Sequence, residues 1–205
     1  MGVRIEKIVV ATRNESKKKR FGRLLAGLAD QVIGLEEAGV TGKPEETGET
    51  AEENAEIKAA FYAAATGLPV LAEDESLWVD FLPADKQPGV HVRRVDRKDE
   101  VSDEELLAYW EALVAAVLKN KRTGHWHVAY CLGTPDGRVH TGALDHPIMF
   151  FSPSSEVKLP HWPMSSLQGP VMFGKPDSEL TEEERKQKDQ RADRLIEEKL
   201  LELFR

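Results

Sequence analysis

Three consecutive acidic residues interrupt the apolar run VLAEDESLWVDFL, which spans residues 70–82. The β-branched and apolar residues around them predict a strand, and alternation along it sends Glu73 and Glu75 to one face and Asp74 to the other. Adjacent carboxylates at the end of a buried strand are costly unless a cation or a basic pocket compensates their charge. The segment predicts either a metal-binding strand end or a strand that has already ended in an acidic surface turn, and its own residues leave both open.

Strand-like and helix-like segments alternate along the chain. A β-branched strand at 6–12 precedes apolar residues at helical spacing, an Ala-rich helix occupies 50–67, and an amphipathic helix occupies 102–120. Residues 125–145 read as a hairpin turned at Pro135, Asp136 and Gly137, and residues 181–204 read as a terminal helix. This order predicts a mixed α/β fold, one domain over residues 1–205 with two lobes around a central cleft.

Charge and cysteine content narrow the class of function. The formal charge of −8 and the pI near 5.4 argue against a surface that tracks nucleic acid or anionic lipid, so we expect neither partner. Cys131 is the only cysteine, which excludes an intrachain disulfide and suits a reducing compartment. No segment approaches the roughly 18 apolar residues of a membrane span, and the first residues do not resemble a signal peptide. We therefore expect a cytoplasmic protein.

The segment ATRNESKKKR, residues 11–20, places a strand end directly before a helix that begins near Asn14 or Glu15. Thr12, Asn14 and Lys17 surround this junction, where backbone N–H groups and the positive end of the helix suit an anion. It is not a Walker loop, because no glycines precede the lysine at the required spacing. The alternative is that Asn14 only caps a helix whose basic face is solvated.

The segment ETAEENAEIKA, residues 49–59, supplies a second group of polar side chains. Asn54 and Lys58 are four residues apart and so share a helix face. Thr50 followed by Glu53 is also a capping box, so a pure capping role for Glu53 is the alternative to a ligand role.

These segments, in this order, resemble the inosine triphosphate pyrophosphatases, also called Ham1-like non-canonical purine nucleoside triphosphate pyrophosphatases. IVVATRNESKKKRFGRLL matches the opening strand and T-x-N-x-x-K phosphate loop of that family, and EETGETAEENAEIKAAFYAAATGLPVLAEDESLWVD matches its acidic helix and metal-binding strand. PGVHVRR matches the following segment, and weaker similarity continues into the terminal helix. The resemblance implies an elongated mixed sheet with flanking helices, and a homodimer.

The resemblance also assigns roles to individual residues. The triphosphate of the substrate would be held by Thr12, Asn14, Lys17 and Lys58. Mg²⁺ would be bound by Glu53 and Asp74. The catalytic group would comprise Asp74, which binds metal or orients the attacking water, together with Glu73 and Lys17. Water would then attack the α-phosphorus and release pyrophosphate.

Two departures from the family pattern change this expectation. The family strand motif Asp-Asp-Ser-Gly-Leu is here Glu73 to Leu77, so Glu75 adds a charge where the family has a small hydroxyl residue. The base-binding loop Gly-Phe-Gly-Tyr-Asp-Pro corresponds to SSLQGP, and the Ser-His-Arg triplet corresponds to residues 189–191. The residues left to contact the nucleotide are then Gln190, Arg191 and Arg185. Loss of the aromatic and acidic residues predicts an altered base preference.

The expected function is therefore Mg²⁺-dependent hydrolysis of a non-canonical purine NTP or dNTP to the monophosphate and pyrophosphate, with altered base specificity. Two alternatives are open. One is a non-catalytic nucleotide-binding protein of the same fold. The other is an enzyme of the Maf-like class acting on pyrimidine or modified nucleotides.

Overall fold

Parallel pairing of three strands places the polar residues that follow the first strand beside the acidic run at residues 73–75. The computed structural model describes residues 4–95, 98, 100–160 and 162–205. Its strands are β1 (Ile5–Val10), β2 (Ala29–Gly34), β3 (Val70–Val79), β4 (Thr123–Gly133), β5 (Val139–Phe150) and β6 (Gln168–Pro170). They form one sheet in the order β2-β1-β3-β4-β5-β6, in which β1 is parallel to both β2 and β3.

Four α-helices connect or follow these strands: α1 (Glu15–Leu24), α2 (Ala51–Thr66), α3 (Asp103–Ala115) and α4 (Glu182–Leu203). Short 3₁₀ helices lie at Ala84–Lys86, Lys119–Lys121, Pro163–Ser166 and Asp177–Glu179. Gly67 ends α2 in the left-handed conformation, with φ of 65°, as its position after the Ala-rich run predicts. The mixed α/β class expected from the alternating pattern is confirmed.

Strand β3 continues through the acidic run instead of ending before it. It includes Glu73, Asp74 and Glu75 and extends to the buried Val79, so the alternative of an acidic surface turn is wrong. Val9 and Val10 of β1 lie opposite Val70 and Leu71 of β3. The Ala11 N–H donates to the Leu71 carbonyl over 2.8 Å, which extends the pairing by one residue. Because the strands are parallel, the residues that follow Val10 lie beside the residues of β3 that follow Leu71.

The chain divides into two compact units. The first comprises Met1–Glu75, Val128–Leu144 and Arg191–Arg205, and the second comprises Ser76–His127 and Asp145–Gln190. Within the first, Val9 and Val70 pack with Leu35 and Tyr62 in a buried cluster. Within the second, Trp110 of α3 stacks on Phe150 with ring centroids 5.9 Å apart and an interplanar angle of 9°. The cleft expected between two lobes stays a prediction.

The second strand of the hairpin is longer than the sequence predicts. The predicted hairpin ends at residue 145, whereas β5 continues to Phe150. The irregular stretch that follows contains the short β6, which pairs antiparallel with β5 through Gln168, Gly169 and Pro170. In the described residues, none of the helices is long and apolar enough to cross a bilayer.

Replacing Trp110 by Ala tests the core of the second unit. Its side chain is 2% exposed, so truncation leaves a large cavity beside Phe150, and we expect a loss of about 3–5 kcal/mol in the free energy of unfolding. Urea denaturation measures the change. Trp162→Ala is the matched control, because that indole is 61% exposed and its removal should change stability little. Equal losses in the two variants would contradict this account of the core.

Candidate functional site

Asn14 and Thr12 organise the turn between β1 and α1. The Asn14 side-chain oxygen Oδ1 accepts hydrogen bonds from the Ser16 N–H at 2.9 Å and the Lys17 N–H at 3.2 Å. The Asn14 N–H donates to Thr12 Oγ1 over 3.1 Å. The capping role left open for Asn14 is therefore confirmed. Its capping bonds set the first turn of α1 and, with it, the position of Lys17, while phosphate binding by Thr12 and Asn14 stays a prediction.

Glu53 is part of a complete capping box at the start of α2. Its Oε2 atom accepts from the Glu49 N–H at 2.7 Å and the Thr50 N–H at 3.3 Å, while Thr50 Oγ1 accepts from the Glu53 N–H at 3.2 Å. The capping alternative for Glu53 is thus what its contacts show. Metal binding by Glu53 stays a prediction, and none of these contacts joins it to Asp74.

Two lysines from different helices meet the acidic run of β3. Lys17 Nζ of α1 lies 2.5 Å from Glu73 Oε1, and Lys58 Nζ of α2 lies 2.6 Å from Asp74 Oδ1. Lys58, Glu73 and Asp74 have side chains only 13–16% exposed, so these are largely desolvated charges. Separate helices reach the two adjacent acids, as alternation along a strand predicts. Four of the predicted residues thus form two ion pairs on adjacent positions of β3: Lys17 with Glu73 and Lys58 with Asp74.

Glu46 is a member of this group that the sequence pattern does not indicate. Its Oε2 atom lies 3.2 Å from Lys58 Nζ, on the same ammonium group that Asp74 contacts. Glu46 lies in the loop before α2, where no periodic pattern marks a functional side chain. The loop passes close to the start of α2 at Gly48, where a side chain would come within 2.7 Å of Glu53 Cβ and 2.8 Å of Asn54 Oδ1.

The loop that carries Glu46 is held at both ends. The Arg13 guanidinium donates to the carbonyls of Thr41 and Gly42 at 2.8 and 3.1 Å. At the other end the Gly48 N–H donates to Asn54 Oδ1 over 2.8 Å. Asn54 was expected to share a helix face with Lys58, and it uses that position to fix the loop rather than to contact a lysine. These bonds set where Glu46 lies relative to α2.

The helix that carries Lys17 is anchored one turn further along. Arg20 Nε donates to Asp193 Oδ1 of α4 over 2.6 Å, and both side chains are about two-thirds or more buried. Arg23 adds a longer contact of 3.6 Å to the same carboxylate. Cap and anchor together restrict α1, so Lys17 approaches Glu73 from a fixed backbone.

The charges at this site shift one another's protonation equilibria. Burial raises the pKa of Asp74, Lys58 opposes this rise, and Glu46 adds to it. The Glu75 side chain is exposed to solvent. The surrounding protein nevertheless raises the pKa of Glu75 by partial desolvation, and Glu73 adds to that rise. Burial acts to lower the pKa of Lys17, but Glu73 and Glu75 outweigh it, so this pKa is raised. The site carries more negative charge than its two lysines neutralise.

The donor chemistry of the site suits a hard cation. Glu46, Glu73 and Asp74 offer carboxylate oxygens, the ligands that Mg²⁺ prefers. Across the described ranges, no three His, Cys, Asp or Glu side chains are arranged to hold a metal ion as they stand. The carboxylate oxygens are instead directed at Lys17 and Lys58.

The predicted nucleotide contacts Arg185, Gln190 and Arg191 lie on α4. Arg185 donates weakly to the Ser178 carbonyl at 3.4 Å, and Arg185 and Gln190 belong to the second unit. Arg191 begins the last segment of the first unit and is exposed. Nucleotide binding by Arg185, Gln190 and Arg191 stays a prediction.

Asp74→Asn tests whether the charge of Asp74 lowers the stability of the folded protein. A raised native pKa means that wild-type stability falls as pH rises from the ordinary aspartate range through the native pKa. We therefore expect Asp74→Asn to be more stable than wild type at pH 7, with the difference shrinking towards pH 4. Urea denaturation at the two pH values measures it.

Asp136→Asn is the control of opposite sign. Arg138 and Thr134 hold the pKa of Asp136 at about 2, so this substitution should lower stability at pH 7, and the loss should fade only on strong acidification. An Asp74→Asn protein that is less stable than wild type at pH 7 would show that the Lys58 pair outweighs the burial of the carboxylate.

Comparison with known proteins places the chain among relatives. Residues 8–149 match the model of the Ham1 family. A dITP/XTP pyrophosphatase from Symbiobacterium thermophilum is 40% identical over 136 residues, which cover 65% of this chain and 64% of that protein. One from Geobacter sulfurreducens is 37% identical over 152 residues, covering 72% and 73%.

Solved structures agree with the sequence relatives. The crystal structure of a nucleoside-triphosphatase, or dITP/XTP pyrophosphatase, from Mycobacterium abscessus superposes with a TM-score of 0.73 at 26% identity, covering 93% of this chain and 97% of that one. The fold class implied by the resemblance is thereby confirmed. The matched region is a continuous stretch that contains the second half of β1, all of α2 and the acidic strand β3, and the chain belongs to the Ham1 family.

Proposed function

We propose that this chain is a nucleoside triphosphate pyrophosphatase that hydrolyses its substrate to a monophosphate and pyrophosphate with Mg²⁺. The observation that carries the proposal is the convergence of Lys17 and Lys58 on the adjacent carboxylates Glu73 and Asp74 within one compact unit. The names of the relatives from Symbiobacterium and Geobacter support the same reaction class.

The charge of each residue determines its proposed role. Lys17 and Lys58 are the cationic groups available to neutralise a triphosphate, because they extend from fixed helices to adjacent residues of β3. Asp74, with Glu46 on the same side of Lys58, would hold Mg²⁺, and Glu73 would complete the acidic group. When bound, the cation neutralises charge that develops on the phosphate oxygens.

The substrate we propose is a non-canonical purine triphosphate with a ribose or deoxyribose sugar, handled with altered base preference. The departures at SSLQGP and at residues 189–191 remove the aromatic and acidic groups by which the resembled family grips the base. Gln190, Arg191 and Arg185 are the side chains we expect to contact the nucleotide. We further expect a cytoplasmic homodimer that binds neither nucleic acid nor membrane.

Pyrophosphate release with Mg²⁺, across a panel of canonical, deaminated and modified nucleoside triphosphates, tests the reaction. We expect turnover of at least one deaminated purine triphosphate, and a loss of about a hundredfold or more in Asp74→Asn, since a metal-binding and water-orienting group is removed. Asp136→Asn is the control, because Asp136 lies in the exposed turn between β4 and β5.

Other outcomes of the panel distinguish the alternatives. Tight binding of a triphosphate without turnover, unaffected by Asp74→Asn, would favour a non-catalytic nucleotide-binding protein. Turnover confined to pyrimidine nucleotides would favour the Maf-like class. Turnover that survives Asp74→Asn would show that the acidic strand is not the catalytic element.

Comparing Glu46→Gln with Glu53→Gln separates a site carboxylate from a capping one. Glu46 contacts Lys58, whereas Glu53 accepts backbone N–H bonds that a glutamine oxygen also accepts. We expect Glu46→Gln to lower kcat/KM by about tenfold or more and Glu53→Gln to change it by less than about threefold. A larger loss in Glu53→Gln would support Glu53 as the metal ligand, as the family resemblance implies.

A further inference from the structure

We propose that Lys58 competes with the divalent cation for Asp74 and Glu46, so that cation binding displaces the lysine and makes it available to the triphosphate. This inference rests on the proposed function and concerns the order of events at the same site. It makes cation and substrate a coupled pair of ligands rather than two independent ones.

The contacts of Lys58 carry the proposal. Its ammonium group lies 2.6 Å from Asp74 Oδ1 and 3.2 Å from Glu46 Oε2, with a side chain only 13% exposed. The ammonium group of Lys58 therefore already contacts two carboxylates from different segments. These carboxylates are hard oxygen donors that would also suit a divalent cation. A lysine in this position cannot at the same time direct its three N–H donors at a phosphate.

The charge of the site opposes binding of the substrate first. Three carboxylates contact the two lysines, with Glu73 on Lys17 and Asp74 and Glu46 on Lys58, and the charge of Glu75 acts on both lysines. A triphosphate that entered without a cation would have to draw Lys58 away and leave Asp74 and Glu46 uncompensated beside its own negative charge. Like charges in a poorly solvated site repel strongly, so this order is costly.

The exchange needs motion of side chains only. Lys58 is held on α2, whose first turn is fixed by the Thr50–Glu53 capping box and by the bond from Gly48 to Asn54. A lysine has a flexible four-carbon stem, so its ammonium group can leave Asp74 while the helix stays in place. The carboxylates are likewise set by β3 and by the anchored loop.

Titration of the protein with Mn²⁺ alone, without nucleotide, tests the competition. Free Mn²⁺ is followed by its electron paramagnetic resonance signal. If Lys58 competes for the carboxylates, Lys58→Met should tighten Mn²⁺ binding at least about fivefold. Lys18→Met is the matched control, because Lys18 is also ion-paired, at 3.1 Å to Glu37, but touches none of the site carboxylates. Unchanged or weaker binding in Lys58→Met would overturn the proposal.

A second measurement separates displacement from a general effect of removing positive charge. In the wild-type protein, the ¹⁵N NMR signal of the Lys58 ammonium group should move to a position typical of a solvated lysine when Ca²⁺ is added without nucleotide. The Lys18 signal should not move. A Lys58 signal that keeps its position at saturating Ca²⁺ would show that the lysine stays on Asp74.

Neither readout depends on turnover, so the two proposals fail separately. Pyrophosphate release together with unchanged Mn²⁺ affinity in Lys58→Met would retain the proposed function and reject the exchange. Tighter Mn²⁺ binding in Lys58→Met and displacement of Lys58 by Ca²⁺, without turnover of any triphosphate, would retain the exchange and reject the proposed function.

Discussion

Compensation of charge in the middle of β3 is the constraint on which the rest of the first unit depends. A strand whose preceding residues are fully buried carries Glu73, Asp74 and Glu75 in succession. Such carboxylates are tolerated only when cations lie within contact distance. Lys17 and Lys58 supply them, and each comes from a helix adjacent in sequence to β1 or β3. The parallel pairing of these strands allows both helices to reach the same stretch of β3.

Much of the surrounding structure serves to hold these two lysines. Asn14 caps α1, Arg20 ties the same helix to α4, and the Thr50–Glu53 box starts α2. Each is a small local contribution, on the order of 1 kcal/mol for a cap. Together they fix the backbone around the site. The side chains that carry the like charges can still rearrange to reduce their repulsion. Pre-organised charge of this kind is typical of sites that stabilise a polyanion.

Glu75 distinguishes this chain from the Asp-Asp-Ser-Gly-Leu pattern of the family it resembles. It adds a carboxylate beside Lys17, whose pKa it raises together with Glu73. An additional negative charge favours a bound cation and opposes a bound triphosphate. If the proposed function holds, Glu75 would therefore strengthen the dependence of substrate binding on the cation, as the contacts of Lys58 would also do.

The sequence by itself determined the features that depend on neighbours along the chain. The caps at Asn14 and Thr50, the end of α2 at Gly67 and the turn near Gly137 follow from local hydrogen bonding and backbone preference, and the structure contains them. Family resemblance alone assigned Lys17, Lys58, Glu73 and Asp74 to one site, since no spacing links residues so far apart, and the direct ion pairs between these lysines and acids were not anticipated.

Only the tertiary structure decided which carboxylate joins that strand. Glu53 and Glu46 both precede or begin α2, and residue type does not distinguish them. The capping box turns the Glu53 oxygen towards the backbone, whereas the anchored loop brings Glu46 to Lys58. The continuation of β3 through its acids was likewise open, because the compensating cations come from helices that only folding brings near. Short segments determine the local backbone conformation. Contacts between residues far apart in the sequence determine which charges compensate one another.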